Sequence, residues 1–520
     1  MIRVRQVEVK IDYSISDIRS SVAKKININS NEILDLKINK KSLDARHDRL
    51  KYIFEVDISL KDESKIKLNE DVIITPDDAY KYEITGIKKQ EKPIIVVGSG
   101  PSGLFTTYML SKEGYKVIMI ERGEKVEDRV KSIEDFWKNN KLNINSNVQF
   151  GEGGAGTFSD GKLNTLKKDK ENRQKEVFRI FVSNGAPEEI LYDSKPHIGT
   201  DILRDVIKNM RNTILSNGGM IRYNTCLTDI KIENNKIKSI TVNDSEEIET
   251  DDLVLAIGHS ARDTFKMLHD KGIYMEPKPF ALGIRIQHPQ KLINNAQYNG
   301  EFNLPPASYK LTYHSSNNRG VYSFCMCPGG FVVNASSEKN RLAINGMSNY
   351  KRDEENANSA LIVTVSPKDY GSSPLDGIEF QRVLEEKAYN IGKGLIPIQT
   401  YKAFRENKIL SLGSVNPVMK GNYTLANINE VFPEYITDAL KEAIEYFGGK
   451  IKGFNSDDAI IAAVESRTSS PVRIVRDETF NSNIDGIYPI GEGAGYAGGI
   501  TTSAMDGLKL FELIIKKYRS

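Results

Sequence analysis

Residues 94–103 read Ile-Ile-Val-Val-Gly-Ser-Gly-Pro-Ser-Gly, and this stretch decides the fold. Ile94–Val97 is a short, continuous apolar run, which is typical of a parallel strand buried on both faces. The glycines follow at once, and an apolar helical stretch then continues to Leu110. A second apolar run, Val117–Ile120, ends at Glu121. Strand, glycine turn, helix, strand and acid, in that order, form the complete fingerprint of a dinucleotide-binding βαβ unit.

Each glycine of this turn has its own steric task. Gly98 permits the tight turn out of the strand, Gly100 lets backbone amides approach a pyrophosphate, and Gly103 lets the helix pack on the strand. The start of the helix presents unpaired N–H groups and the positive end of its dipole to the phosphates. Glu121 is placed to accept hydrogen bonds from ribose hydroxyls. Its charge would repel a 2′-phosphate, which argues against an NADP site.

The composition is ordinary for a globular protein and excludes several classes. At 520 residues the chain is too long for one compact core, so two or three domains are expected. Hydrophobic residues make up 39%, charged residues 27%, and the formal net charge is +2. Basic and acidic residues alternate without forming a basic stripe, so no nucleic-acid partner is expected. No run approaches the ~18 apolar residues of a spanning helix and no signal peptide is evident, so no membrane association is expected.

Cysteine is rare in this chain. Cys226, Cys325 and Cys327 are too few for a disulfide scaffold, which favours a reducing cytoplasm. No spacing of cysteine or histidine predicts a metal site. In an extended strand Cys325 and Cys327 would point to one face, with Met326 opposite. A flavin–dithiol relay, lining of a substrate pocket and inert buried thiols are the three hypotheses for this pair.

The first 92 residues are predicted to form a small α+β unit. A helix is expected over Ser16–Lys25, with Ser16 or Asp17 as its cap. Strand-like runs lie at Ile2–Ile11, Glu32–Asn39 and Leu50–Leu60. The polar segment Lys88–Pro93 ends in proline and marks the boundary to the dinucleotide unit.

Two later segments extend the pattern of the fingerprint. Val254–Gly258 is an apolar strand that ends in small residues, and a hairpin precedes it, Leu227–Glu233 and Lys236–Asn243, turned by Asn234-Asn235. Near the C-terminus, Gly486–Gly495 contains Gly491-Glu492, and Gly498-Gly499-Ile500 opens a final helix. An early fingerprint, a middle Ala-x-Gly strand and a late Gly-acid strand end resemble the glutathione-reductase-like and hydroxylase-like FAD folds. In those folds the late acid binds the ribityl hydroxyls, and the next helix N-terminus faces the flavin pyrimidine edge. Aspartate is commoner at this position than the Glu492 found here.

Four further segments carry a closer resemblance that covers nearly the whole chain. They are Phe150–Leu163 (FGEGGAGTFSDGKL), Lys195–Asp201 (KPHIGTD), Cys325–Gly330 (CMCPGG) and Glu465–Pro471 (ESRTSSP). On these residues the chain resembles the bacterial FAD-dependent dehydrogenases sometimes called NAD(FAD)-utilising dehydrogenases. The resemblance implies bound FAD and an oxidoreductase activity.

The resemblance also implies which residues hold the cofactor. The glycine-rich stretch Gly153–Leu163 is unsuited to a stable helix or strand, and it would cradle the isoalloxazine; the alternative is a flexible surface loop. Lys162 near the pyrimidine side would favour hydride arrival at N5 by stabilising the reduced anion. The expected FAD-binding residues are Gly98, Gly100, Pro101, Ser102, Gly103, Glu121, Arg122, Arg129, Gly153, Gly154, Ala155, Gly156, Ser159, Asp160, Gly161, Lys162, Leu163, Leu227, Gly258, Gly491, Glu492, Gly498, Gly499 and Ile500.

The candidate catalytic residues are Lys162, His197, Cys325, Cys327 and Arg467. His197 precedes a helix that Thr200 would cap and that runs to about Ser216. This histidine is either an acid or base or a support for the cap. The planar fork of Arg467 matches a carboxylate or another anion, and the alternative is a structural pair with Glu465.

Together these patterns predict an α/β fold with a Rossmann-like FAD-binding domain in two parts, 93–262 and 466–520. A substrate or cap domain of α+β type, 263–465, is inserted in it, and a small α+β domain, 1–92, precedes it. The predicted function is an FAD-dependent oxidoreductase that transfers hydride between FAD and a small organic substrate. Because no second fingerprint occurs between Ile257 and Gly486, NAD(P)H is expected only as a transiently docked reductant. The alternatives are a redox sensor or partner-docking module and, without a basic face in its favour, a flavin-dependent RNA-modifying enzyme.

Overall fold

The dinucleotide fingerprint forms the elements that its sequence predicts. In the computed structural model, which describes residues 1–45, 50–165, 167–300 and 304–519, Ile94–Val97 and Val117–Ile120 are strands and Pro101–Lys112 is a helix. Gly98 has a φ of 100°. A Cβ on Gly103 would lie 2.0 Å from the Gly98 carbonyl oxygen, so the helix approaches the strand at a distance that only glycine allows.

The fingerprint strands lie inside a parallel sheet. Among the described residues this sheet has the order Ile487–Pro489, Leu253–Leu255, Ile94–Val97, Val117–Ile120, Met220–Arg222. The strand from near the C-terminus therefore pairs with residues 253–255, far away in sequence. The helices Pro101–Lys112 and Ile500–Lys517 pack against each other beside it, and the hydroxyl of Thr106 donates to the Gly507 carbonyl at 3.2 Å. The predicted α/β class is confirmed.

Further elements surround this sheet. The hairpin Leu227–Glu233 and Lys236–Val242 turns at Asn234 and Asn235, with φ values of 51° and 58°, as the sequence predicts. The other elements in this part of the chain are the helices Val126–Asn139, Arg173–Ser183, Thr200–Ser216 and Arg262–Asp270, the 3₁₀ turns Ala155–Phe158 and Glu188–Leu191, and the strand Glu246–Glu249.

The helix over residues 200–216 differs from its prediction at one end. Gly199, with a φ of 79°, occupies the N-cap, and Thr200 is the first helical residue. The Thr200 hydroxyl donates to the Thr157 carbonyl at 2.6 Å and caps nothing. The expectation that Thr200 is the cap was therefore wrong, because its hydroxyl is used to tie the helix to the glycine-rich segment.

A second, largely antiparallel sheet is formed by residues that lie, in sequence, between strands Leu253–Leu255 and Ile487–Pro489 of the parallel sheet. In the described residues its order is Thr312–His314, Gly320–Cys327, Asn356–Val365, Phe280–Pro289, Ile460–Glu465, Ile396–Thr400, Tyr423–Leu425. We call it the cap sheet. Alternate residues of its strands point to opposite faces. Ile284 and Ile286 join an apolar core with Leu440 and Phe447 of the helix Glu434–Gly448.

Smaller elements complete this region. They are the helices Gln290–Tyr298, Pro367–Tyr370, Asp376–Ile391 and Tyr401–Glu406, the 3₁₀ turn Ile428–Glu430, the strands Phe331–Asn334, Ile344–Met347 and Met419–Lys420 of one sheet, and the paired strands Met275–Pro277 and Val472–Ile474. The last pair links the beginning of the cap region to the segment that follows it.

The N-terminal residues form a separate antiparallel sheet with one helix on it. The strand order is Ile33–Asp44, Lys51–Leu60, Ile2–Val9, Val72–Ile74, and 3₁₀ turns lie at Ser30–Glu32 and Glu63–Lys65. The helix Ile15–Ile26 buries Ile18 and Val22 against the sheet. Ser14 caps this helix in a capping box with Asp17, so the expectation of a cap at Ser16 or Asp17 was wrong by two or three residues.

We propose that the domains are those drawn from the sequence, 1–92, 93–262 with 466–520, and 263–465. The grouping of the strands supports this division, because the parallel sheet takes its strands from residues 94–255 and 487–489 and the cap sheet takes its strands from residues 280–465. Strand Lys88–Lys89 pairs with Tyr518–Arg519, which joins the N-terminal linker to the chain end. None of the described helices is both long and apolar enough to span a membrane.

Replacing Gly103 with alanine is expected to destabilise the protein by about 1–3 kcal/mol, because the new Cβ would collide with the Gly98 carbonyl. The thermal midpoint of the variant, followed by circular dichroism, checks this. Lys112→Ala, at the exposed end of the same helix, is the control and is expected to leave the midpoint in place. A Gly103→Ala protein as stable as the wild type would contradict the close packing of helix and strand.

Candidate active site

A cleft of about 400 Å³ opens at the carboxyl ends of the parallel strands. This is the position at which open parallel sheets bind their ligands. Most of the expected cofactor and catalytic residues line it, namely Gly98, Gly100, Pro101, Ser102, Glu121, Arg122, Gly154, Ala155, Gly156, Ser159, Asp160, Gly161, Lys162, Leu227, Gly258, Cys325, Cys327, Arg467, Glu492, Gly498, Gly499 and Ile500. The cleft therefore joins segments of the parallel sheet with segments of the cap sheet.

The backbone itself forms much of the cleft wall, which fits a bound dinucleotide. Among the described residues, a Cβ on Gly258, Gly498 or Gly499 would meet no heavy atom within 4 Å. A Cβ on Gly100 would have as its nearest neighbour the Gly154 Cα at 3.9 Å. Added side chains would thus project into the cleft and occupy the space of a ligand. The residues present fit FAD, whose pyrophosphate needs this close backbone approach.

Two helices begin at the cleft without a side-chain cap. Gly100 is the N-cap of the helix Pro101–Lys112, and Gly499 is the N-cap of Ile500–Lys517. Since neither glycine has a side chain to accept from the first-turn N–H groups, these donors and the positive dipole ends face the cleft. A phosphate at the first helix and an electron-rich flavin edge at the second would both be stabilised there.

Glu121 organises the nucleotide end of the cleft. Its buried carboxylate accepts hydrogen bonds from the Ser99 N–H at 3.0 Å and the Ser99 hydroxyl at 2.7 Å. The other oxygen accepts from the N–H groups of Gly123 at 2.9 Å and Gly151 at 3.0 Å. One side chain thus fixes the glycine turn, the end of the second strand and the start of the glycine-rich segment. Its contact with a ribose stays a prediction.

Arg129 lies behind the cleft wall and does not line it. Its fully buried guanidinium donates to the carbonyls of Asn147 at 2.9 Å, Glu152 at 2.7 Å and Gly154 at 2.9 Å. A Cβ on Gly151 would come within 2.4 Å of the Arg129 side chain. This arginine therefore shapes the glycine-rich segment from behind, which corrects the expectation that it contacts the cofactor itself.

The other expected residues outside the cleft lining also support it from behind. Gly103, Gly153, Leu163 and Gly491 are packed against protein. The Gly153 N–H donates to the Ser99 carbonyl at 3.0 Å, which holds the glycine-rich segment against the glycine turn.

His197 is likewise set back from the cleft lining. Its Nε2 lies 2.9 Å from the Tyr350 carbonyl oxygen, and its ring stacks on the Tyr350 ring. Burial, aided by the charge of Arg352, lowers the pKa of His197 below its ordinary value. A neutral, hydrogen-bonded imidazole of this kind supports the structural reading of His197 over the acid–base reading.

Asp160 and Lys162 come from the glycine-rich segment and reach the cap region. The Asp160 carboxylate accepts from Arg352 Nε at 3.0 Å, from the second arginine nitrogen and from the Ser348 hydroxyl. Burial alone would raise the pKa of Asp160, but the charges of Lys162 and Arg352 lower it below its ordinary value. Lys162 Nζ lies 3.7 Å from Asp160 and donates to the Met326 carbonyl.

Cys325 and Cys327 both line the cleft, although the strand that carries them is irregular. The strand Gly320–Cys327 is irregular between Phe324 and Cys327, and Cys325 has a φ of 41°. Cys325 is the more exposed of the two, Cys327 is buried in the cleft wall, and both thiols are free. Met326 between them packs in the apolar core of the cap sheet, as the expectation of one shared face with Met326 opposite requires.

Both thiols are held in the protonated form. Desolvation of its sulfur raises the pKa of Cys325, although the charges of Arg285 and Lys162 oppose the shift. Burial also raises the pKa of Cys327, whose Sγ donates to the Cys325 carbonyl at 3.3 Å. Because the thiolate is the reactive form, these cysteines are poor nucleophiles at neutral pH.

Arg467 is paired, but with a partner other than the one expected. Its guanidinium makes a bidentate contact with Glu385, with both N–O distances 2.9 Å, and it also donates to Ser260 at 3.2 Å. Arg262 contacts the same Glu385 carboxylate at 2.8 Å. Burial would raise the pKa of Glu385, but the two arginines lower it well below its ordinary value. The proposed pair with Glu465 was wrong, since Glu465 belongs to another cluster.

Arg285, which no sequence motif marks, holds the cap-sheet wall of the cleft. It is fully buried, and its Nε donates to Glu465 at 2.7 Å. Its Nη1 donates to Asn358 at 2.6 Å and to the Cys325 carbonyl at 3.2 Å. Glu465 and Cys325 line the cleft, so one arginine fixes two of its wall residues. The sequence feature that could have identified Arg285 is its position between Ile284 and Ile286, a charged residue between two apolar residues of one strand.

Several neutral cleft residues were also missed. Gln149, His259, Phe324 and Asn345 line the cleft. Burial and the charges of Arg467 and Arg262 lower the pKa of His259 to about 3, so its imidazole is neutral. Its place directly after Gly258 was the only signal in the sequence that could have identified it.

Glu492 stands at the second helix N-terminus. Burial raises the pKa of Glu492 to about 7, although Lys278 and the Gly499 N–H oppose the shift. The carboxyl group therefore changes protonation near neutral pH. It lies in the cleft lining together with Gly498 and Gly499, where the resemblance places the ribityl chain.

Comparison with known proteins gives the family of the chain. A model described as the C-terminal-domain-like part of FAD-dependent proteins matches residues 279–468, and an NAD(P)-binding Rossmann-like domain model matches residues 96–152. A domain model of unknown function matches residues 1–59. An uncharacterised protein of Clostridium beijerinckii is 46% identical over 533 residues, which cover 99% of this chain and 99% of that protein.

Likenesses to solved structures are distant. L-proline dehydrogenase from P. horikoshii is 13% identical, with 83% of this chain and 95% of that chain covered and a TM-score of 0.35. Glycine oxidase from Bacillus cereus is 11% identical, with 82% of this chain and 95% of that chain covered and a TM-score of 0.33. At these scores neither likeness bears on the reaction or the substrate of this chain.

Glu492 is expected to make the stability of the flavin-free protein fall as the pH rises. Its pKa is about 7 when folded against an ordinary 4.5, so between these values the folded state holds more proton than the unfolded state. Ionisation there costs stability. Glu492→Gln removes that cost and is expected to gain on the order of 2 kcal/mol at pH 8 but almost nothing at pH 4.

Denaturant unfolding of the flavin-free proteins at the two pH values measures this difference. Glu188→Gln, at an exposed position, is the control and is expected to give no pH-dependent gain. A Glu492→Gln gain of equal size at both pH values would show that the carboxyl group is not desolvated in the cleft.

Proposed function

Since this chain belongs to the family of FAD-dependent proteins and is an FAD-dependent oxidoreductase, we propose that it transfers a hydride between bound FAD and a small organic substrate. FAD supplies two-electron redox chemistry when bound. The protein supplies the binding, the orientation and the electrostatics of the site.

One observation carries this proposal: a single cleft joins the glycine turn to the cap sheet. The turn after Val97 and the helix start at Ile500 line it, and so do Cys325 of the cap sheet and Arg467, which follows the cap-sheet strand Ile460–Glu465. A dinucleotide that runs along the glycines would end beside a wall from a different sheet. Sites between two such units are where small substrates bind.

Different residues would hold different parts of the cofactor. We propose that the turn at Gly98–Gly103 holds the pyrophosphate and that Glu492 holds the ribityl chain. Glu121 and Arg122 stand at the nucleotide end, where Arg122 is fixed by Asp263 at 2.8 Å. Gly153–Leu163 would lie along the isoalloxazine, with Lys162 supplying positive charge to its reduced form.

The cysteine pair is assigned to the wall of the substrate pocket. Cys325 faces the cleft, and its raised pKa keeps it protonated, which suits a pocket-lining thiol better than a redox relay. The Cys325 carbonyl is also fixed by Arg285 at 3.2 Å, so the backbone at this position is part of the pocket framework.

The electron donor and the compartment are further proposals. A nicotinamide domain of the usual kind needs a parallel βαβ unit, whereas the cap sheet pairs its described strands antiparallel except at Ile396–Thr400 with Tyr423–Leu425. NAD(P)H would therefore dock transiently at the open face of the flavin. Because Cys226, Cys325 and Cys327 are all free, we propose a reducing compartment, the cytoplasm.

Gly100→Val is expected to weaken FAD binding about tenfold to a hundredfold, because its side chain would occupy the place of the pyrophosphate. The fold should persist, since a Cβ at Gly100 has no neighbour closer than 3.9 Å. The ratio of flavin to protein absorbance after gel filtration measures FAD retention. Gly320→Val, on a cap-sheet strand away from the cleft, is the control. A yellow Gly100→Val protein with full flavin content would refute the assignment of the turn.

Cys325→Ser is expected to leave reduction of the flavin unchanged, because a protonated thiol that only lines a pocket takes no electrons. Anaerobic bleaching of the flavin absorbance by NADH, NADPH or dithionite follows the reduction. A variant whose flavin can no longer be reduced by a donor that reduces the wild type would reinstate the dithiol relay.

A further inference from the structure

The part of the cleft beside the cap sheet contains more positive than negative charge. The Asp160 carboxylate faces two cations, Arg352 with Nε at 3.0 Å and Lys162 with Nζ at 3.7 Å. Arg352 and the Ser348 hydroxyl already occupy both carboxylate oxygens. One carboxylate balances one cation, so this cluster keeps one positive charge.

Lys162 is the member of the cluster that presents this charge to the cleft. Its side chain is 34% exposed, whereas those of Asp160 and Arg352 are 5% and 10% exposed. One of its N–H bonds is directed to the Met326 carbonyl. The ammonium group has three donors, so it retains hydrogen-bonding capacity towards the cleft.

Other charged wall residues leave this excess in place. Glu465 is neutralised by Arg285 at 2.7 Å. Arg467 and Arg262 share the Glu385 carboxylate, and Glu338 contacts both of these arginines as well as Arg382, so this cluster adds no net negative charge to the wall. The thiols of Cys325 and Cys327 are protonated and add no negative charge.

Apolar and neutral polar groups form the rest of this wall. Phe324 is 36% exposed although it is aromatic, and it lines the cleft next to Cys325. Asn345 and Thr468 add neutral polar groups to the same wall. A cation beside an exposed ring matches a small molecule with one charged end and one apolar end.

We propose that the substrate is a small organic carboxylate, bound with its negative charge against Lys162 and its apolar part towards Phe324. This inference rests on the proposed function, since it names the substrate class of that same site. The reduced flavin is a second source of a delocalised anion that Lys162 would attract. The test therefore includes a separate measurement of how Lys162 affects the flavin.

The binding test uses the FAD-loaded protein and two acid–amide pairs, benzoate with benzamide and hexanoate with hexanamide. Each compound is titrated against the flavin absorbance spectrum and against the thermal midpoint. At least one acid is expected to bind about tenfold or more tightly than its amide, and added salt should weaken that preference. The amide keeps the shape of the acid without its charge, so the comparison isolates the electrostatic contribution.

Variants of Lys162 assign the preference to this residue. Lys162→Met is expected to abolish the preference for the acid, and Lys162→Arg, which keeps the charge, to restore most of it. Lys167→Met removes an exposed lysine nearby and should leave the preference unchanged. Sulfite adds to the flavin itself, so its affinity for the same variants measures the effect of Lys162 on the flavin.

Three results would overturn the proposal. They are equal affinity for acid and amide, no binding of either pair, and a Lys162→Met variant that keeps its preference for the acid. If Lys162→Met keeps the preference for the acid and changes only the affinity for sulfite, Lys162 acts on the flavin and not on the substrate. A protein that retains no FAD would contradict the proposed function instead, and the flavin absorbance shows this before any titration begins.

Discussion

Close contact between two glycine-rich backbones is the constraint on which the site depends. The helix after the turn approaches the first strand so closely that a Cβ on Gly103 would overlap the Gly98 carbonyl. On the other side, a Cβ on Gly154 would come within 2.9 Å of the Gly100 Cα. Backbone therefore packs on backbone at two places, Gly103 on Gly98 and Gly154 on Gly100. The space in front of Gly100 is bounded by peptide groups and helix N–H donors. Such a surface binds phosphates and flat rings through its backbone.

Buried charge then fixes each wall of the cleft and joins the cap region to this surface. Arg129 shapes the glycine-rich segment from behind, Arg285 sets Glu465 and the Cys325 carbonyl, and Glu385 clamps Arg262 and Arg467. Breaking a buried pair of this kind leaves an unpaired charge, which is far more costly than losing a surface pair. Two such contacts connect the two regions, namely Glu385 with Arg262 and Arg467, and Asp160 with Arg352. The positive charge that remains at Lys162 is a property of that arrangement.

The sequence predicts the parts of this structure that depend on local backbone geometry. The strand at Ile94–Val97, the hairpin turned by Asn234 and Asn235, and the glycines at the cleft all follow from residues that are neighbours in the chain. Contacts between distant segments do not follow. Arg467 pairs with Glu385, 82 positions away, and nothing near Arg467 in the sequence indicates that partner. The bulge between Phe324 and Cys327 is likewise set by pairing with a distant strand, and the extended strand expected there does not include it.

A crystal structure of the protein with FAD bound would decide whether the glycine backbones and the cap sheet form one site. We expect the pyrophosphate against the turn at Gly98–Gly103 and the isoalloxazine between the segment Gly153–Leu163 and the cap-sheet wall at Cys325. A flavin ring bound away from that wall, or a pyrophosphate that makes no contact with the turn, would contradict this arrangement.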